Sequence, residues 1–225
     1  MKNLILLVGM ILVLCVTASA QQAGATPQTT VGVTGKGLKL GFGIANISTE
    51  YAELNDFLDS RVGFSGGAFL TYALSRQFAV QPEILYVSKG ASKDFFFFNA
   101  HWNLDYLEIP VLLKFNLMPE GKLQPSLYAG PALDVLMASK FHIIDETYDI
   151  KDYTKSMDFG LVFGAGLDYK HITFDVRYAL GLTNVVDAAE KINEATGAVP
   201  GDSYYLEGDP TVKNTDLSFM IGARF

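Results

Sequence analysis

Residues 215–225 read TDLSFMIGARF. Leu217, Phe219, Ile221, Ala223 and Phe225 take every second place, with Asp216, Ser218, Met220, Gly222 and Arg224 between them. Such strict alternation marks a strand with one apolar and one wet face. The apolar face needs a partner, and the rest of the chain decides whether that partner is protein.

The same alternation recurs upstream in seven runs, over Leu38 to Ile44, Phe64 to Leu74, Phe78 to Tyr86, Leu107 to Leu117, Leu123 to Val135, Met157 to Tyr169 and Ile172 to Leu180. From Leu38 onward no segment keeps a 3.6-residue period for long, so the chain reads as all-β. The opposite parity of these runs carries glycines and charges of both signs, among them Lys39, Glu83, Lys89, Glu108, Lys114, Asp134, Asp158, Asp168, Asp175, Arg177 and Arg224. Phe69, Leu85, Leu112 and Val162 are apolar exceptions there.

The links between runs alternate in length. Short ones fall at Ser75 to Gln77, Met118 to Lys122 and Lys170-His171; long ones run over Ser48 to Val62, Gly90 to Leu104, Met137 to Lys155 and Thr183 to Asn214. Every second link is long, which gathers the long loops at one end of an up-and-down meander. The pattern predicts an eight-stranded antiparallel up-and-down transmembrane β-barrel. In lipid no sheet edge stays unpaired, so Leu217 to Phe225 is expected to pair with Leu38 to Ile47. The partner of the apolar face is then outer-membrane lipid. Alternation alone also fits a lipocalin-like soluble barrel, apolar inside and polar outside, although a wall of Lys, Glu, Asp and glycine would be an odd soluble surface.

Composition narrows the classes further. The chain has 225 residues, 49% hydrophobic and 12% aromatic, with 21 glycines and a formal net charge of −7, which suits one domain and argues against nucleic acid as a partner. Residues 1–20, with Lys2, an apolar run from Leu4 to Val16 and Ala18-Ser19-Ala20 at the end, read as a signal peptide cleaved after Ala20. The only cysteine, Cys15, leaves with it, so no disulfide framework is expected in the exported chain. Residues 21–36 read as a flexible periplasmic leader, and residues 37–225 as the barrel domain.

Three stretches carry a family resemblance: Gln81-Pro82-Glu83-Ile84-Leu85-Tyr86 with Lys89-Gly90, then Tyr106-Leu107-Glu108-Ile109-Pro110-Val111-Leu112-Leu113-Lys114, then Tyr128-Ala129-Gly130-Pro131. With Gly37-Leu38-Lys39-Leu40-Gly41 they resemble the PorT-like outer-membrane β-barrel proteins of Bacteroidetes, over nearly all of residues 37–225. The resemblance implies the outer membrane of a Gram-negative bacterium and supplies no shared catalytic residues. The terminal Phe225 is similar to the C-terminal aromatic through which the barrel-assembly machinery is expected to engage such chains.

Candidate site residues follow from parity. An eight-stranded barrel is filled by its own side chains, so Lys39, Glu83, Glu108, Lys114, Asp168, Asp175, Arg177 and Arg224 are expected to form a lumenal polar network that pairs charges rather than passing ions. On the same face Gly164 is expected to accept serine with little effect. Phe95, Phe96, Phe97 and Phe98, with Trp102, form a loop patch that either contacts a ligand or partner or joins the interfacial aromatic belt beside Tyr106, the belt being the expected role. Asp145, Glu146, Asp149 and Asp152 lack the calcium-loop pattern and read as a solvated acidic loop. No cofactor or metal is expected.

The expected function is a structural or interaction role through long extracellular loops, toward an unidentified surface protein or glycan, with both termini periplasmic and no catalysis. The alternatives are a rim-sited enzyme, hydrolase or acyltransferase, using His101, His142, Asp145 and Ser139, and a narrow channel.

Overall fold

The structure, a computed structural model, describes residues 31–49, 59–94, 99–143, 146–186 and 211–225. Within them the strands are β1 (Gly32–Thr49), β2 (Asp59–Ala73), β3 (Phe78–Asp94), β4 (Asn99–Asn116), β5 (Leu123–Ile143), β6 (Glu146–Asp149), β7 (Met157–Tyr169), β8 (Ile172–Gly181) and β9 (Val212–Arg224). The sheet order is β4-β3-β2-β1-β9-β8-β7-β5, and a further β4–β5 pairing closes the ring. Eight antiparallel strands make the barrel, and the short β6 extends the far end of β5. The signal peptide, residues 21–30 of the leader, and the centres of the first and last long links lie outside the described residues.

The closing seam is the one expected of TDLSFMIGARF. Leu40 pairs with Ile221, Phe42 with Phe219 and Ile44 with Leu217, and the Phe42 and Phe219 rings stack at 5.5 Å. Phe78 with Phe115 and Phe163 with Tyr178 repeat this cross-strand aromatic pairing elsewhere on the wall, a contact worth roughly 0.2–1 kcal/mol each.

Facing separates lipid from water. Leu40, Phe42, Val111 and Phe163 on the outer wall are exposed, whereas Lys39, Glu83, Glu108 and Arg177 are buried inside. A soluble barrel requires the reverse, so this wall is built for lipid.

Four features depart from the sequence reading. Residues 32–36, expected as leader, already belong to β1. The link over residues 90–104 is mostly strand, since β3 runs to Asp94 and β4 starts at Asn99. With 21 residues, β5 at about 3.3 Å per residue far exceeds an apolar band about 25 Å tall. Outside lipid both faces of a strand are wet, so the alternation stops while the hydrogen-bonded ladder continues. Finally, Tyr106 pairs with Leu136 and Asp105 with Ala138, leaving Met137 as a one-residue bulge that switches the parity of everything after it.

Candidate functional site

The site that parity points to is the lumen. Period-two pleating aims one residue in two inward from each strand, and in this barrel those residues meet in three tiers.

Nearest the short turns, Lys114 on β4 and Arg224 on β9 both donate to Asp168 Oδ2 on β7, at 3.0 and 3.3 Å. Above them Glu83 on β3 accepts from Lys39 Nζ at 2.8 Å, Gln81 Nε2 at 2.7 Å and Arg177 Nη2 at 2.9 Å. Lys39 also donates to Asp175 Oδ2 at 2.9 Å. Arg177 then stands 3.9 Å from Glu108, which leads to the third tier, where Lys89 donates to Glu108 Oε2 at 3.0 Å and Asp134 Oδ2 at 2.5 Å.

Most of these pairs skip a strand. Lys39 on β1 reaches over β2 to Glu83 and over β9 to Asp175; Lys89 reaches over β4 to Asp134, and Arg224 over β8 to Asp168. They are chords of the barrel, joining strands that the backbone ladder does not join directly. Each buried cation of the two inner tiers also sits over an aromatic ring: Lys39 over Phe69 at 5.0 Å, Lys89 over Tyr106 at 5.5 Å and Arg177 over Tyr128 at 5.7 Å. This adds a quadrupole attraction that survives desolvation. Isolated, such charges would be expensive to bury; paired with several acceptors they are tolerated.

Seven of the eight expected network residues are buried in the lumen and the eighth, Arg224, is half-buried at its short-turn end, but they are not one cluster. Lys114 pairs with Asp168 and not with Glu83 or Glu108. Lys89, Asp134, Asp158 and Asp216 belong to the same lining and were not singled out, although their parity was visible. Carboxylates outnumber cations in the third tier. The surplus, Asp158 and Asp216, accept from the Thr183 and Ser218 hydroxyls. The apolar exceptions pack in the lumen too, Leu112 and Val162 with Tyr128 in one group and Leu85 with Met220 in another.

The two ends of the lumen differ. At the long-loop end Ile47, Val185, Val186 and Val212 form an apolar stopper with Trp102 against it. The segment after β8 is held there by Val185 N donating to Val212 O at 2.9 Å, Lys155 N to Val185 O at 2.8 Å and Val212 N to Asn184 Oδ1 at 2.8 Å. At the short-turn end an open cavity of about 320 Å³ is lined by Thr34, Thr71, Arg76, Gln124, Asp168 and Arg224, among others.

Two expectations fail here. Trp102 and Tyr106 do not join an outer aromatic belt. Tyr106 is wholly buried with Leu104 and Leu136, Trp102 packs against the same group, and its indole N–H donates to Ser139 Oγ at 3.5 Å. Both stand on the inward parity of β4, which begins at Asn99 rather than at Leu107. Phe95 to Phe98 lie outside the described residues. Gly164 is not a free position either: a Cβ there would stand 2.7 Å from the Tyr128 hydroxyl and closer still to the Val176 carbonyl oxygen.

The proposed rim-enzyme residues are divided. Ser139 is buried on the inner face, sharing a 2.9 Å hydrogen bond with Thr154 Oγ1. His101 and His142 fall on the outer parity of β4 and β5, and Asp145 lies outside the described residues. Among the described residues no group of three or more His, Cys, Asp or Glu is placed to hold a metal ion.

Comparison with solved structures finds similarity to several chains. Neisserial surface protein A shares 14% identity at a TM-score of 0.51, with 86% of this chain and 99% of that chain covered. Ail, the attachment invasion locus protein of Yersinia pestis, shares 14% identity at 0.45, covering 87% of this chain and all of that one (100%). OprG from Pseudomonas aeruginosa shares 13% at 0.42, covering 87% and 97%. At 14% identity the likeness to Neisserial surface protein A concerns fold alone, and nothing is argued from the two lower-scoring structures. No curated protein sequence matches. The family model described as outer membrane protein beta-barrel domain matches residues 21–187, well over half the chain, and with the closed lipid-facing barrel on view the chain belongs to that family, whose place is the outer membrane of Gram-negative bacteria.

Proposed function

We infer that the protein is a closed, non-conducting outer-membrane scaffold that presents its long loops at the cell surface for interaction with a surface protein or glycan. The observation that carries this reading is the lumen: buried ion pairs span it in tiers and an apolar stopper fills its long-loop end. A diffusive pore needs a continuous wet path. The short turns and both strand-terminal ends, Gly32 and Arg224, share one end of the barrel, which supports periplasmic termini and external loops. Loops on a rigid scaffold are where binding residues collect. Within the family, the Gln81 to Tyr86 and Tyr106 to Lys114 stretches support the PorT-like subgroup, and the strand ending at Phe225 supports engagement by the assembly machinery. Catalysis is not expected, because Ser139 is committed to hydrogen bonds inside the mouth.

The test is conductance. Purified protein in planar bilayers should show no steady current; a stable ohmic channel would overturn the reading. Deleting residues 94–99 should leave folding intact while weakening any surface partner captured by crosslinking, and an unchanged crosslink would move the contact to another loop.

A further inference from the structure

The open cavity at the short-turn end is positively charged at its floor. Its lining carries three cations, Arg76, Lys114 and Arg224, against two carboxylates, Glu120 and Asp168. Arg76 and Glu120 pair with each other at the exposed rim, at 3.2 Å. Lys114 and Arg224 are left to share a single carboxylate oxygen, Asp168 Oδ2. The floor therefore holds one positive charge in excess, in a place from which water is largely withdrawn: Lys114 is 4% exposed. An ammonium has three N–H donors, and among the described residues that of Lys114 is bonded to Asp168 alone.

Two local departures from a regular strand shape this end. The pairing of β1 with β2 skips from Val33 opposite Tyr72 to Gly35 opposite Thr71, which makes Thr34 a one-residue bulge. Beyond it the parity switches, so that Val33 is exposed while Thr34 lines the cavity. Bulges at barrel rims re-aim side chains in this way, and they are over-represented beside functional sites. Next to the bulge, Gly35 leaves room for the Arg224 stem, since a Cβ there would stand 2.7 Å from Arg224 Cδ. The absent side chain lets Arg224 lie against β1 while its guanidinium reaches Asp168.

At about 320 Å³ the cavity falls at the small end of ligand pockets, which run from about 300 to 1,000 Å³. Thr34, Thr71, Asn116 and Gln124 make its walls polar. The complementary guest is small, polar and anionic. A guanidinium beside an ammonium suits the two oxygens of a carboxylate, the fork of arginine matching that planar group in particular.

We propose that this cavity is a binding site for a small polar carboxylate, held by Lys114 and Arg224 at the floor and entered past the Arg76–Glu120 pair at the rim. The exposed rim pair contributes little stability and is free to part. Such a carboxylate has two sources, a free organic acid and the C-terminus of a peptide. That the cavity opens to the periplasm rests on the orientation proposed for the barrel. Binding in detergent does not depend on orientation, so failure of the site and failure of that reading are distinguishable.

Full-length protein folded in non-ionic detergent at low salt is titrated against acetyl-Ala-Ala, followed by broadening of the ligand's methyl resonances. Saturable binding at one site per chain is expected, lost when the same dipeptide carries a C-terminal amide. Acetate binding as tightly as the dipeptide assigns the site to free acids; a tighter dipeptide assigns it to peptide ends. Lys114→Met and Arg224→Gln should each weaken binding about tenfold or more, as expected for loss of a hydrogen bond from a charged donor. Lys122→Ala, an exposed cation at the same end but outside the lining, should leave it unchanged. Asp168→Asn should tighten binding, because it removes the carboxylate that competes for both cations, and a merely structural role would not give that sign. Folding of each variant is checked by the heat-dependent shift in gel mobility, and the half-buried Arg224 keeps the test available where Lys114→Met fails that check. Equal binding of the amide, a Lys122→Ala effect as large as that of Arg224→Gln, or weaker binding by folded Asp168→Asn would each overturn the proposal.

Discussion

Lys39 Nζ and Glu83 Oε1 lie 2.8 Å apart although their strands, β1 and β3, are not neighbours. The bond crosses the lumen above β2, and the same ammonium reaches the other way to Asp175 on β8. One side chain thus ties together three strands that share no backbone hydrogen bond among them.

Lys39→Met should therefore be severe. It leaves Glu83 with Arg177 alone as a charged partner and takes from Asp175 the ammonium it is paired with, and breaking a buried pair typically costs about 3–5 kcal/mol. Denaturant titration of the protein in lipid vesicles measures the loss. Arg76→Ala, which removes an exposed pair with Glu120 at 3.2 Å, should cost about 1 kcal/mol or less.

Facing is tested from outside. Val111→Arg or Phe163→Arg, each on the exposed wall, should cost about 2–4 kcal/mol near the bilayer midplane. The same vesicle titration reads it; a negligible cost at both positions would mean that this wall does not meet lipid.

Gly164→Ser should be destabilising by about 1–3 kcal/mol, because the added atoms collide with the Tyr128 hydroxyl and the Val176 carbonyl. Tyr128→Leu made together with it should recover part of the loss, as it removes one obstacle and leaves the other. A double-mutant cycle on thermal or denaturant unfolding separates the two contributions.

Trp102 offers a test of the mouth. Packed inside against Val185 and Leu104 groups, it should resist quenching by brominated lipids and by acrylamide. A residue of an interfacial belt would be quenched strongly by the lipid probe.

Much of this barrel was legible in the alternation, and the reason is physical. Burial in lipid on one side and in a packed lumen on the other constrains every residue of a spanning strand, so parity alone identified Lys39, Glu83, Arg177 and their outward neighbours. Parity gives a face but not a level. That Lys114 meets Asp168 rather than Glu108 depends on the stagger of β4 against β5 and β7, which no single strand encodes. The reading also lost its footing where lipid ends. Trp102 and Ser139 fell within links and Tyr106 just short of a run because alternation fades there, and the Met137 bulge then reversed the face on which Ser139 falls. Lys89 and Asp134 carry the inward parity as well, so their place in the lining was equally legible, but not their pairing with each other across β4.

The seam between β1 and β9 carries a consequence for how the barrel comes apart. Lateral opening there must separate the Phe42–Phe219 stack on the outside and, on the inside, the Lys39–Asp175 bond that arches over β9. No part of that latch exists until the last strand docks, since its inner half needs β8 and β1 held on either side of β9. Closure should accordingly come late and opening should be slow, so that folding and unfolding titrations of the same sample trace different curves: a hysteresis that narrows when Lys39 is replaced.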